Sequence, residues 1–503
     1  MPGTSPSAIG TTTRVLMAAQ YAARPPPNLR QPGMPLSRRP PTPVAAQPPS
    51  TVQPPTAAAK LRRAAYGICG RLARVTVRDR LRALRVDTTP LRTSPDFRRL
   101  FLAGTVFYLG GMVSYVALPW QLYHLTGSNL AVGLLGVVEL VPLVAFGLWG
   151  GALADHVDRR LMLVWTGVAQ AVLTALLMIN AWLPEPRAWV IYAVGAVLSA
   201  ASALQRPSRE ALIPRTVRHD ELPAAVSLSS MGAQVGLLAG PALGGILVES
   251  VGAAAAYAID VAGLVVATGL FARLGSYPPS EAATPASWRS IGEGARYAVS
   301  RRDLLGTYVV DIVAMFLAMP TVLFPALATE VLESPHTLGL LYSAGTVGSL
   351  LVTATSGWTG RVHRHGMAVV VSAVGWGAAV AVAGLTTSVP IVLVCFAIAG
   401  GADMVSAVFR GVIWHQTIPD SMRGRLAGIE MLSYSVGPLG GQVRSGLVAD
   451  RWSVRASVTS GGVLCVVGVL ATAAWLRDFW SYDSRTDPYA VAERERRAAA
   501  GRG

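Results

Sequence analysis

The chain has 503 residues, of which 52% are hydrophobic and only 14% charged, against about 25% charged in soluble domains. That balance excludes a string of soluble domains and implies membrane helices. The net charge of +16 is not a nucleic-acid footprint, because the arginines crowd one N-terminal stretch and then alternate loops.

Residues 1–57 are rich in Pro, Ala, Ser and Thr ("RPPPNLRQPG", "RRPPTPVAAQPPS") and are expected to be disordered, with no secretory signal. In residues 60–85, Leu61, Ala65, Ile68, Leu72 and Val75 recur at helical steps among arginines. That pattern fits a basic amphipathic helix on an anionic membrane surface; an unstructured tail and translated sequence upstream of the true start are the alternatives. Residues 1–95 as a whole are expected to form a cytoplasmic tail.

From Phe101 onward, apolar runs of about 20 residues recur, the length a helix needs to cross the hydrocarbon core. Each must satisfy its own backbone, which makes these runs helices. Twelve spans are expected near 98–125, 130–154, 160–183, 187–206, 222–249, 253–272, 303–328, 336–358, 367–387, 390–411, 424–449 and 455–476. The connections alternate between arginine-rich ("DHVDRR", "RPSREALIPRTVRHDE", "GRVHRHG", "PDSMRGR") and arginine-poor ("TGSN", "ESVG", "LESPH", "TTSV"). The positive-inside rule puts the former, and both termini, in the cytoplasm. Residues 273–302 form a linker, its "SWRSIGEGARYAVSRR" expected as a helix on the inner face, between halves at 96–272 and 303–476; residues 477–503 are expected as a second cytoplasmic tail.

The halves repeat. Pro119 and Pro325, Gly133 and Gly339, and Gly151 and Gly357 stand at one constant offset, and Arg209 and Arg410 share a second offset with Thr216 and Thr417. Six spans per half is an even number, so the repeat is parallel, the arrangement of major facilitator transporters. The fold class expected is therefore an all-α membrane protein, twelve transmembrane helices in two pseudo-symmetric six-helix halves.

Two motifs carry a family resemblance. "GGALADHVDRRLMLV", with Gly151, Leu153, Asp155, Arg159 and Arg160, resembles the loop signature between spans two and three of the major facilitator superfamily; Asp158 replaces a usual glycine. "GLLAGPALGG" on span five, with Gly236, Gly240, Pro241, Gly244 and Gly245, is similar to that superfamily's antiporter motif, which marks proton-exchanging exporters. Physically, glycines at steps of four admit close helix approach. The core from Asp96 to Ile429 further resembles the enterobactin-exporter group, through "DFRRLFLAG", "LPEPRAWVIYAVG", "FPALATEVLESPHTLGLLYSAGTVGSLL" and "QTIPDSMRGRLAGI". The resemblance implies proton-coupled export of a siderophore or a hydrophobic small molecule, with multidrug efflux as the alternative.

The residues then sort into roles. Asp155 is expected to latch against the start of span eleven, near Arg423 and Arg425, by meeting a helix N-terminus; Gly151, Arg159 and Arg160 complete the loop, though a charged loop that only sets topology fits the two arginines equally. Acids inside spans are functional candidates, namely Glu139, Asp311, Asp403 and Glu430. Tyr108, Tyr115, Gln121, Gln234, Phe316 and Trp414 are candidate walls of a substrate cavity, with lipid-facing or packing roles as the alternative; Trp120 and Tyr123 are expected in an interfacial belt. The sole lysine, Lys60, is not preceded by glycine, which excludes a P-loop; Cys69, Cys395 and Cys465 show no metal or disulfide spacing. No enzyme activity, cofactor or metal is expected beyond a proton gradient, and the partners expected are a small molecule and the bilayer, for a monomer in the inner (plasma) membrane. Import by the same fold and a non-transporting receptor or assembly role are the remaining alternatives.

Overall fold

The computed structural model describes residues 87–278 and 288–500; the side chains of residues 148–156, 288–291, 420–421, 423–425, 427–428 and 498–500 lie outside that description. The expected tail helix at 60–85 also lies outside the described residues. Six long helices precede the linker: α1 (Pro95–Thr126), α2 (Asn129–His156), α3 (Arg159–Trp182), α4 (Ala188–Thr216), α5 (Leu222–Ser250) and α6 (Ala253–Ala272). Six follow it: α7 (Arg302–Ala318), α8 (Leu338–Ala354), α9 (His365–Leu385), α10 (Val389–Thr417), α11 (Asp420–Arg451) and α12 (Val454–Trp475). The linker holds a helix over Trp288–Ser300.

Local sequence sets these boundaries. Ser94 caps α1 by accepting from the Phe97 N–H (3.1 Å), with Pro95 in the first turn, where its missing N–H costs nothing. Gly127 ends α1 in the left-handed region (φ +64°). Among the described residues, eleven helical segments are long and apolar enough to cross a membrane. The helix outside that set is α11, 32 residues long but interrupted by Ser433, Ser435, Gln442, Arg444 and Ser445, which face neighbouring helices. Exposed Trp165, Trp182, Trp189, Trp452 and Trp475 lie mostly at helix ends, as interfacial tryptophans do.

One segment differs from expectation. The seventh span is not one helix: α7 stops at Ala318 before Pro320, and the chain continues through a 3₁₀ turn (Thr321–Leu323), a single α-turn at Phe324–Ala326 and a π-turn at Leu327–Val331. Pro320 and Pro325 each remove a backbone donor, which explains the break. The residues after α12 pack back on the bundle. Phe479 is fully buried, and Gly306 of α7 and Gly366 of α9 have no side chain where it and its backbone sit.

The α2–α3 turn is held by Asp158 rather than by a glycine. Its carboxylate caps α3 by accepting from the Arg160 N–H (2.8 Å) and accepts from Ser276 Oγ (2.6 Å). Partial burial pushes the Asp158 carboxyl up, but the hydrogen bonds from Ser276, Arg160 and Tyr277 outweigh it and hold the group below its ordinary value. A depressed carboxylate stabilises at neutral pH, and that contribution disappears as pH falls through the lowered value. D158A is therefore expected to cost about 1 kcal/mol at pH 7 and markedly less at pH 3, read as the difference in melting temperature at the two pH values.

Candidate functional site

The halves meet by a symmetric use of glycine. Gly236, Gly240 and Gly244 form one stripe of α5 laid on α1. A β-carbon at Gly236 would fall 2.6 Å from Tyr108 Cβ, and one at Gly244 would fall 2.9 Å from the Val113 carbonyl oxygen. The next residue, Gly245, faces the other half, against the backbone of Gly339 on α8. The C-terminal half repeats this: Gly437 and Gly441 of α11 press on Ile312–Phe316 of α7, and Gly446 faces Asn129 of α2. The reciprocal contacts match too, with Gly133 against the Gln442 carbonyl (2.6 Å) and Gly339 against that of Pro241 (2.9 Å). Such approach is open only to residues without a side chain. The span-five motif is thus helix packing that brings α5 onto α1 and α8, and "SVGPLGGQVRSG" is its second copy.

Among the described residues, hydrogen bonds join the halves at the arginine-poor end, where α1 turns into α2 and α11 into α12, and also midway along α5 and α8. The Asp450 carboxylate of α11 accepts from Ser128 Oγ (2.6 Å), Asn129 N–H (2.8 Å) and Leu130 N–H (3.1 Å), so it sits on the positive end of α2. Tyr123 donates to Glu330 across the same boundary. Ser343 Oγ and Thr346 Oγ1 donate to the carbonyls of Leu238 (3.1 Å) and Leu237 (3.4 Å). Tyr123 therefore joins the halves, and Trp120 beside it donates its indole N–H to Glu249 (2.8 Å).

Just inside that seal lies a cavity of about 270 Å³, between α1, α2, the broken stretch after α7, α8 and α11. Glu139 opens onto it with Tyr115, Tyr342, Tyr434 and Gln442. Among the described residues no cation pairs with the Glu139 carboxylate. Tyr115 packs edge-on against Tyr342, ring centres 5.6 Å apart.

Two of the candidate acids of the C-terminal half, Asp311 and Asp403, form one cluster. Arg410 of α10 pairs with Asp311 of α7, both almost fully buried, and its Nη2 lies 3.9 Å from Oδ1 of the half-exposed Asp403. Ser433 of α11 donates to Asp311 (2.7 Å). Two carboxylates share one guanidinium, so the cluster carries one negative charge in excess when both are ionised. Glu430 stands apart and accepts from Tyr434.

The remaining candidates scatter. Gln121 is buried and accepts from Tyr257 (2.9 Å), while Trp414 is buried and donates to Thr307 (2.8 Å) while stacking on Tyr308. Both belong to helix packing and line neither the inter-half cavity nor the pocket at Tyr108. Phe316 is exposed beside Gly440 of α11, and Gln234 is half-buried on α5. Tyr108 accepts from Arg209 Nη2 (2.8 Å) and lines a separate pocket of about 180 Å³ between α1, α4 and α5. In the signature loop, Arg159 and Arg160 donate to the carbonyls of Ala211 (3.2 Å) and Ala272 (2.5 Å), tying the α2–α3 turn to α4 and α6. The side chains of Asp155, Arg423 and Arg425, and Gly151 with them, lie outside the described residues. One intramembrane acid escaped the sequence reading: Asp260 of α6, buried, accepting from Ser114, with Gly110 leaving room for it. Its signal was a lone acid in "AYAIDVAG".

Comparison with known proteins agrees with this geometry. Residues 87–491 match the MFS_3 family, described as transmembrane secretion effector. An enterobactin exporter, EntS, of Citrobacter koseri is 27% identical over 76% of this chain and 92% of its own length. The EntS of Escherichia coli strain HS is 26% identical over the same shares. Among solved structures, the nucleoside transporter NupG superposes with a TM-score of 0.61 at 12% identity, covering 76% of this chain and 98% of that one. A bacterial homologue of the human lysosomal transporter Spinster, inward-facing and unoccupied, gives 0.59 at 14% identity, covering 81% and 98%. These structures bear on the fold alone.

Proposed function

Because the chain belongs to the transmembrane secretion effector family of the major facilitator superfamily, a family of transporters and not enzymes, we propose that it is a proton-coupled exporter working by alternating access. Its cargo in this reading is a siderophore or a similar hydrophobic small molecule. Multidrug efflux by the same fold is the second reading, favoured by the apolar wall that Leu118, Leu135, Leu143 and Leu439 give the inter-half cavity. The chain is a monomer of the inner membrane with both termini cytoplasmic, powered by the proton gradient with no cofactor and no nucleic-acid partner. On that orientation the sealed, arginine-poor end faces outward.

Glu139 carries the reading. An unpaired carboxyl between the halves, in a cavity that conformational exchange opens and closes, takes up a proton on one side and releases it on the other. The Asp311–Arg410–Asp403 cluster supplies a second proton site, since one proton neutralises its excess charge. In inside-out vesicles given a pH gradient, E139Q is expected to lower enterobactin accumulation at least tenfold, with D403N lowering it less. Gradient-dependent accumulation that survives in E139Q, D311N, D403N and E430Q alike would remove these acids from the mechanism.

A further inference from the structure

Arg209 and Arg410 occupy the same place in the two halves, yet their surroundings differ. Arg410 faces Asp311 and Asp403. At the repeat offsets that relate Pro119 to Pro325 and Arg209 to Arg410, those acids correspond to Thr105 and Ser202, which carry no charge. Arg209 is 9% exposed, and among the described residues no carboxylate pairs with it. Its Nη2 donates to Tyr108, its guanidinium lies 4.5 Å from the Tyr108 ring centre and 5.3 Å from that of Phe107, and its buried Nη1 has no hydrogen-bond partner. The rings offset part of the cost of burying the charge, but they accept no hydrogen bond from Nη1 in the way a carboxylate would.

The space beside Arg209 is the pocket of about 180 Å³, lined by Phe101, Leu100, Ile213 and Val226 on its apolar side and by Thr105 and Ser229 on its polar side. Glu210 also lines it, but that carboxylate is bound by Arg206 at 2.9 Å, so the uncompensated charge of the pocket is that of Arg209. We propose that this pocket binds an oxyanion of the cargo, a carboxylate or phenolate on an apolar body, which completes in the N-terminal half the ion pair that Asp311 completes in the other. The guanidinium fork holds the anion from Nη1, and the Ser229 hydroxyl donates to its second oxygen, the Thr105 hydroxyl being engaged by the Phe101 carbonyl (2.9 Å). This assignment rests on the exporter reading and narrows its cargo to anions.

The test is titration of the full chain in lipid nanodiscs, without any gradient, using salicylate and its neutral analogue salicylamide at pH 7. The wild-type chain is expected to bind salicylate at least tenfold more tightly than salicylamide. R209Q abolishes that preference, and R209K keeps part of it because it retains charge but loses the fork. T105D places a carboxylate where Arg410 has one and is expected to abolish the preference by pairing Arg209 internally. This variant decides the matter if R209Q does not fold. A wild-type chain with no preference, or a preference intact in R209Q or T105D, overturns the proposal. If the wild-type chain prefers salicylate but moves no cargo in vesicles, export fails while the anion site stands.

Discussion

R410A is expected to destabilise the C-terminal half by about 3–5 kcal/mol, because it leaves the Asp311 carboxyl buried without its partner. Asp311 is 5% exposed and Arg410 3%, with α7, α10 and α11 closing over them, so neither charge reaches water when its partner goes. D311A is expected to cost a similar amount by stranding the arginine, partly relieved by Asp403 at 3.9 Å. The double variant D311A/R410A is expected to be less damaged than the sum of the two, since it leaves only Asp403, which is half-exposed. Melting of the purified chains in one detergent measures this. Single variants that melt with the wild type would mean that the pair is hydrated and does not organise the three helices.

G245V is expected to stop transport while leaving the chain folded. Gly245 meets Gly339 backbone to backbone, so a branched side chain there cannot enter the contact. The clash lies between the halves and not within one, so it acts on the sealed state alone. The symmetric variant G446V, against Asn129, is expected to act in the same way. Spin labels on the exposed loop residues Glu185 and Thr387 (E185C, T387C), one in each half at the arginine-poor end, report the separation there. Both glycine variants shift the distance distribution to longer values. An unshifted distribution in both would show that the close approach does not set the equilibrium. Gly240, which faces Met112 of α1 within one half, gives the contrast: G240V is expected to destabilise the N-terminal half rather than to open the boundary.

Much of this was legible in the sequence, and where it was not the reasons are physical. The spans were legible because lipid demands about 20 apolar residues in each, and the span-five glycines because a spacing of four on one helix has few uses in a membrane. The repeat offset that relates Arg209 to Arg410 also relates Gly236 to Gly437 and Gly245 to Gly446, so the second copy was within reach. Its shifted proline, Pro438 rather than a residue aligned with Pro241, hid it. The break after α7 follows from Pro320 and Pro325, but whether prolines kink or interrupt a span depends on which neighbours satisfy the freed carbonyls. Asp450 carried no signal in the sequence because its partners, the Ser128 hydroxyl and the N–H groups of Asn129 and Leu130, lie more than 300 residues away in the chain. Arg209 read as one more topogenic arginine for a similar reason: what distinguishes it is the carboxylate it lacks, and only the three-dimensional comparison with Arg410 exposes that.

We propose that a proton gradient drives cargo out of the cell through this chain. The most direct test is enterobactin accumulation by inside-out vesicles containing the purified protein, with a pH gradient imposed and then collapsed by a protonophore. Accumulation that depends on the gradient, stops on its collapse and is absent from vesicles carrying E139Q is the predicted result. Accumulation indifferent to the protonophore, or none at all in either direction, would contradict it.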